Sequence, residues 1–199
     1  MTRFRTLSLS ALVVALGLVW NRGDAQTSAP MAPATPPPLK SLRDGQHDFD
    51  FLLGKWKYHL KRLENPLTVP GSTHWVEFDG TGECRPIWNG KAQLDTLDVN
   101  GPGGHIEGLT LRLYGPESHQ WSLYWSNAAK GTVDVPTVGS FVDGRGEFYD
   151  QEVYRGRMIL VRYAWTGTTS KSPHFEQSFS EDGGKTWEVN WITDQVRVE

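Results

Sequence analysis

Asp48-Phe49-Asp50-Phe51-Leu52-Leu53-Gly54-Lys55-Trp56 is the stretch on which the reading of this chain turns. Before the glycine, Phe49, Leu52 and Leu53 are spaced by three and four, which suits one helical turn. Asp48 is placed to cap that turn. Gly54 can take backbone angles closed to other residues, so the chain can switch there from turn to strand. After it, Trp56, Tyr58 and Leu60 alternate with Lys55, Lys57, His59 and Lys61. Period two, with an aromatic face and a basic face, predicts a strand buried on one side and wet on the other.

Working downstream, runs of the same kind recur between turn signals. Residues 73–85 read as a strand interrupted by Gly80 and Gly82, which predicts a bulge or a sharp bend. Asn89-Gly90 marks a hairpin into 91–100. Residues 106–114 set Leu109, Leu111 and Leu113 against Thr110 and Arg112, and 120–126 set Trp121, Leu123 and Trp125 against Ser122, Tyr124 and Ser126. Residues 127–136 are small and polar, as a loop at a barrel mouth would be. Strands at 137–142 and 146–154 flank Asp143-Gly144. Arg155-Gly156 then leads into 157–166, where Ile159, Val161, Tyr163 and Trp165 share a face. Residues 174–180 and 187–198 complete the series. Roughly ten strands at hairpin spacing, with no long amphipathic helix, predict an all-β, antiparallel, up-and-down barrel with a short N-terminal helical turn. Closure removes the exposed edges that invite aggregation. A β-sandwich is the alternative.

Ahead of this domain the composition changes twice. Arg3 and Arg5, the apolar run 7–20 and Gly23-Asp24-Ala25 have the layout of a signal peptide over residues 1–25, so the protein is expected to be exported, periplasmic or secreted. Residues 26–41 are rich in Pro, Ala, Thr and Ser and are expected to form a flexible tether. Residues 42–199 form the single folded domain, large enough for its own core. Removing the signal segment takes the net charge from −3 to −5. There is no basic cluster, which argues against a nucleic-acid partner. Cys84 is the sole cysteine, so no internal disulfide is available, and a buried thiol is expected.

The helical turn followed by G-x-W and a first strand resembles the lipocalin-like, or calycin, barrels. The fuller string from Phe49 to Trp56, with Arg162-Tyr163-Ala164-Trp165, Glu176-Gln177-Ser178 and the segment Ser180 to Trp187, resembles a mostly bacterial lipocalin-like family of unassigned activity. The resemblance covers about Asp48 to the C-terminus. It implies that Trp56 plugs one end of the barrel and that Arg197 packs over it. It also makes Arg162 and Glu176 candidates for a polar group in the interior, whereas alternation alone turns Arg112 and Arg162 toward solvent.

Candidate ligand-binding residues are Tyr58, Trp121, Trp125, Arg162, Tyr163, Trp165, Glu176 and Trp191. Large aromatics on inward faces either fill a barrel or line its pocket. The six histidines form no metal-binding pair, and no metal is expected. Haem is not expected either. The related nitrobindin barrels carry G-x-W-x-G-x-G where this chain has Gly54-Lys55-Trp56-Lys57-Tyr58-His59, and His174 and His59 are the nearest candidates for a ligand. Ser180 to Trp187 fits S-x-D-x-G-x-T-W once, which reads as a hairpin staple rather than a propeller repeat. No nucleophile elbow or phosphate loop is present. The chain therefore reads as a barrel that binds a small, partly apolar molecule, with an enzyme using the same cavity, or a filled structural barrel, as the alternatives.

Overall fold

The computed structural model describes residues 43–68, 73–169 and 171–198. The expected signal peptide and tether lie outside these. A single 3-10 turn, Asp50–Leu52, precedes ten strands. They are β1 (Gly54–Leu63), β2 (Trp75–Ile87), β3 (Ala92–Gly101), β4 (Gly104–Gly115) and β5 (Gln120–Asn127). The series continues with β6 (Thr137–Val142), β7 (Arg145–Tyr154), β8 (Arg157–Thr166), β9 (His174–Ser180) and β10 (Glu188–Arg197). Every strand pairs antiparallel with its sequence neighbours, and β1 pairs with β10, so the sheet closes into a ten-stranded up-and-down barrel. The sandwich alternative is excluded.

Local chemistry explains the connections. Asp143-Gly144 and Arg155-Gly156 are two-residue turns with both residues at positive φ, the geometry that matches the twist of the flanking strands. The turn at Asn89-Gly90 is longer than its dipeptide implies, since residues 88–91 separate β2 from β3. Gly80 and Gly82 do not create a bulge. The register of β2 with both neighbours runs through them without a break. The recorded register shift is between β9 and β10, where Asn190 is the extra residue between Val189 and Trp191.

One end of the barrel is closed by the residues ahead of β1. Phe49 is fully buried, edge-on to Trp121 at 5.3 Å and Phe141 at 4.9 Å, and stacked on Phe148 at 5.4 Å. Burying one such ring contributes about 2–3 kcal/mol. Trp121 Nε1 donates to the Gly45 carbonyl at 2.9 Å, and Trp56 Nε1 donates to the Leu52 carbonyl at 2.6 Å. Asp48 does not cap the turn. Its carboxylate accepts two bonds from Arg43, and the 3-10 turn has no side-chain cap.

Strand β4 reverses the expected orientation. Thr110 and Arg112 face inward, and Arg112 is 2% exposed, while Leu109, Leu111 and Leu113 face outward. Two local contacts favour it. The inner face of β4 runs beside Trp125, and a Cβ at Gly108 would lie 2.1 Å from that ring. Arg112, larger than leucine, is accommodated inside because Asp95 accepts its Nη2 bond at 2.7 Å and the Phe49 and Trp165 rings lie against it. Outside, Leu111 pairs with Leu94 and Tyr124 of the adjacent strands, forming a half-buried apolar row.

Candidate functional site

Above the aromatic plug the interior stays open as a cavity of about 480 Å³. Its walls are aromatic. Trp125 and Trp191 meet edge to face at 6.1 Å, Phe175 packs on Trp165 at 4.8 Å and on Tyr163 at 5.2 Å, and Tyr154 packs on Phe179 at 5.3 Å. The far end, away from the plug, carries Arg62, Glu64, Pro66, Asp134 and Glu152. Asp134 belongs to the loop after β5, which is held down by the Ser126–Val133 bridge and by Asp134 N–H donating to the Trp125 carbonyl at 2.8 Å. Lys130 pairs with its carboxylate.

At the closed end lies a buried ion pair. Arg112 Nη2 donates to Asp95 Oδ2 at 2.7 Å, and Tyr58 donates from its hydroxyl to Asp95 Oδ1 at 3.2 Å. The guanidinium also lies 5.0 Å from the Phe49 ring and 5.8 Å from the Trp165 ring. Burial works against its charge, but Asp95, Cys84 and Tyr58 together outweigh that cost and hold Arg112 more firmly protonated. Burial first, and then Asp95, pushes the Tyr58 hydroxyl well up. Cys84 is buried next to the pair, and burial pushes its thiol up to about 12.

A second cluster of acids sits on β7. Asp150 is raised to about 7, chiefly by burial and then by Glu152 and Asp134. Glu152 is raised by burial and by Asp134, against Lys130. Asp150 Oδ1 is buried and accepts no bond. Asn190, displaced by the bulge, lines the cavity and accepts a bond from Gln177 at 2.7 Å.

Of the residues singled out by sequence, Tyr58, Trp125, Tyr163, Trp165 and Trp191 line the cavity. Trp121 does not. It is fully buried in the plug, because its position on β5 is level with Phe49 and Gly45. Arg162 and Glu176 are not among the lining residues either, since the parity of β8 and β9 turns them outward. Arg162 stacks on Trp187 at 4.6 Å and donates to Ser178, and Glu176 pairs with His174 at 3.1 Å. His174 also meets Asp194 at 2.6 Å, and His59 meets Asp79 at 2.9 Å, both on the outer surface. Asp182 of the last hairpin accepts bonds from the backbone N–H groups of Thr186 and Lys185 and from the hydroxyls of Thr186 and Ser180. These bonds hold its carboxyl well below the usual range.

Sequence reasoning missed Asp95, Gln195, Asp150 and Glu152. Asp95 was legible in principle. Gly101 pairs with Gly104 across the Pro102-Gly103 turn, and that register sets Asp95 diagonal to Arg112.

No family model matches the chain, and no curated protein matches it. Among solved structures it is similar to Rv2717c from M. tuberculosis, with a TM-score of 0.52 at 10% identity over 80% of this chain and 100% of that one. At that identity the likeness concerns the barrel fold.

Proposed function

We propose that the protein is an exported binding barrel for a small, partly apolar ligand held in the central cavity. The observation that carries the reading is the open, aromatic-walled space of about 480 Å³ above a sealed end. This volume lies within the range of small-molecule sites, which are mostly apolar with a few placed polar groups. Export rests on the basic start and apolar run of residues 1–25. Among the described residues, no helix is long and apolar enough to cross a membrane.

Native mass spectrometry of the full chain, purified from its own compartment, tests this. A co-purifying small molecule that leaves on denaturation is the expected result. A bare mass, together with no binding in a screen of apolar probes, would overturn the reading.

A second reading has its own observation. Asp150, raised to about 7 and lacking a partner for one oxygen, lies on β7 close to Glu152 and Tyr163, which line the cavity. A carboxyl poised near neutral pH suits a general acid or base, so a small-molecule enzyme is the alternative use of the same cavity. Turnover of a bound molecule that disappears in Asp150→Asn would favour it.

A further inference from the structure

The binding reading leaves the polar end of the ligand open, and the closed end of the cavity bears on it. Three side chains there each keep one N–H donor that no protein atom accepts: Arg112 Nε, Trp165 Nε1 and Gln195 Nε2. All three residues line the cavity, and they are 2%, 6% and 1% exposed. A chain of contacts links them into one patch. Arg112 lies against the Trp165 ring and bonds Asp95, Asp95 accepts from Tyr58, and Tyr58 faces Gln195 across the β1–β10 seam. A buried donor without an acceptor carries its full desolvation cost, so three of them on linked residues call for oxygen from outside the protein.

The surrounding charges decide which kind of oxygen. The Arg112 cation is already matched by Asp95 at 2.7 Å, so the patch holds donors without free positive charge. An incoming molecule must also pass Glu64, Asp134 and Glu152, which line the cavity together with Arg62, with Asp150 close by on β7 and Lys130 already paired to Asp134, so acids outnumber cations along the way. A carboxylate would meet an excess of acids on the way in, and at the closed end a cation already paired with Asp95.

We propose that the Arg112–Trp165–Gln195 patch is a recognition site for a neutral acceptor oxygen, such as the carbonyl of a ketone, ester or amide, on an otherwise apolar ligand. The cavity therefore selects neutral carbonyl compounds over carboxylates and over plain hydrocarbons of the same shape. This rests on the binding-barrel reading.

The test is equilibrium dialysis of the full chain against three matched probes: benzophenone, diphenylmethane and diphenylacetate. Benzophenone is expected to bind about tenfold more tightly than either of the others, as one or two added hydrogen bonds imply. Trp165→Phe keeps an aromatic ring, smaller than the indole, but loses the donor, and Gln195→Met keeps the volume but loses the amide. In each variant the advantage of benzophenone over diphenylmethane should shrink several-fold, with diphenylmethane serving as the reference for the altered wall. Equal affinities for all three probes, or tightest binding of diphenylacetate, would overturn the inference and leave the binding barrel standing. An undiminished carbonyl preference in both variants would overturn the placement at this patch. Absence of binding by every probe would overturn the binding reading, and this inference with it.

Discussion

The Arg197 guanidinium lies over the Trp56 indole, 4.2 Å from the ring centroid, where the last strand meets the first. The same guanidinium donates to the carbonyls of Leu53 and Phe51, so one side chain ties the plug, the first strand and the last strand together. Gly54 makes this possible. It sits at φ +116°, and a Cβ there would lie 2.7 Å from Arg197 Nη1. Replacing Arg197 with lysine should destabilise the fold by about 1–3 kcal/mol, because a point charge cannot stack and serve two carbonyls at once. The thermal midpoint of a chain this long should fall by about 2–4 °C per kcal/mol, and scanning calorimetry reads it.

The Arg112–Asp95 pair makes a sharper prediction. Arg112→Met alone leaves a half-buried carboxylate unpaired and should cost about 3–5 kcal/mol. Adding Asp95→Leu removes the orphaned charge and should recover much of that loss. Urea unfolding of the two single variants and the double variant measures the coupling, and additive losses would contradict it.

Asp150 makes stability depend on pH in an unusual direction. In the folded chain it keeps its proton up to about pH 7, whereas an ordinary Asp carboxyl loses it near 3.8. The folded state thus binds the extra proton between those values, so this group's contribution to stability falls as pH rises from about 4 to 7. Asp150→Asn should raise the urea midpoint at pH 8 and change it little at pH 4. An equal shift at both pH values would show that Asp150 titrates normally.

Cys84 should resist alkylation in the native protein at pH 8. Its thiol is buried and raised to about 12, so thiolate is scarce and poorly reachable. Iodoacetamide labelling followed by mass analysis should show modification only after denaturation.

Thr110 lines the cavity and makes no side-chain bond to the protein among those described. Thr110→Phe should fill part of the cavity and weaken binding of apolar probes at least about tenfold. This is the size expected when a ligand loses its room rather than one contact. Unfolding midpoints checked alongside would separate lost space from lost structure.

Much of the fold was legible because strand periodicity and turn chemistry are local. Ile159, Val161, Tyr163 and Trp165 all face inward as their alternation implies, and Asp143-Gly144 turns where the dipeptide says. The orientation of β4 was not legible. Its leucines and its Thr110 and Arg112 alternate equally well either way, and a strand's own sequence does not say which face is the core. The parity of β9 was not legible either, and it removes Glu176 from the cavity, whereas Arg162 faces outward as the alternation of β8 implies.

The order of the strands, their turns and the sealing partnership of Trp56 with Arg197 were thus present in the sequence, since each depends on residues close together or on a shared motif. The interior was decided only by tertiary structure. Asp95, Arg112, Trp165 and Gln195 come from four strands, β3, β4, β8 and β10, and become one patch only when β1 pairs with β10 and the sheet closes. The same closure leaves some donors bonded and others without an acceptor, because that depends on which neighbours the curved sheet brings within reach.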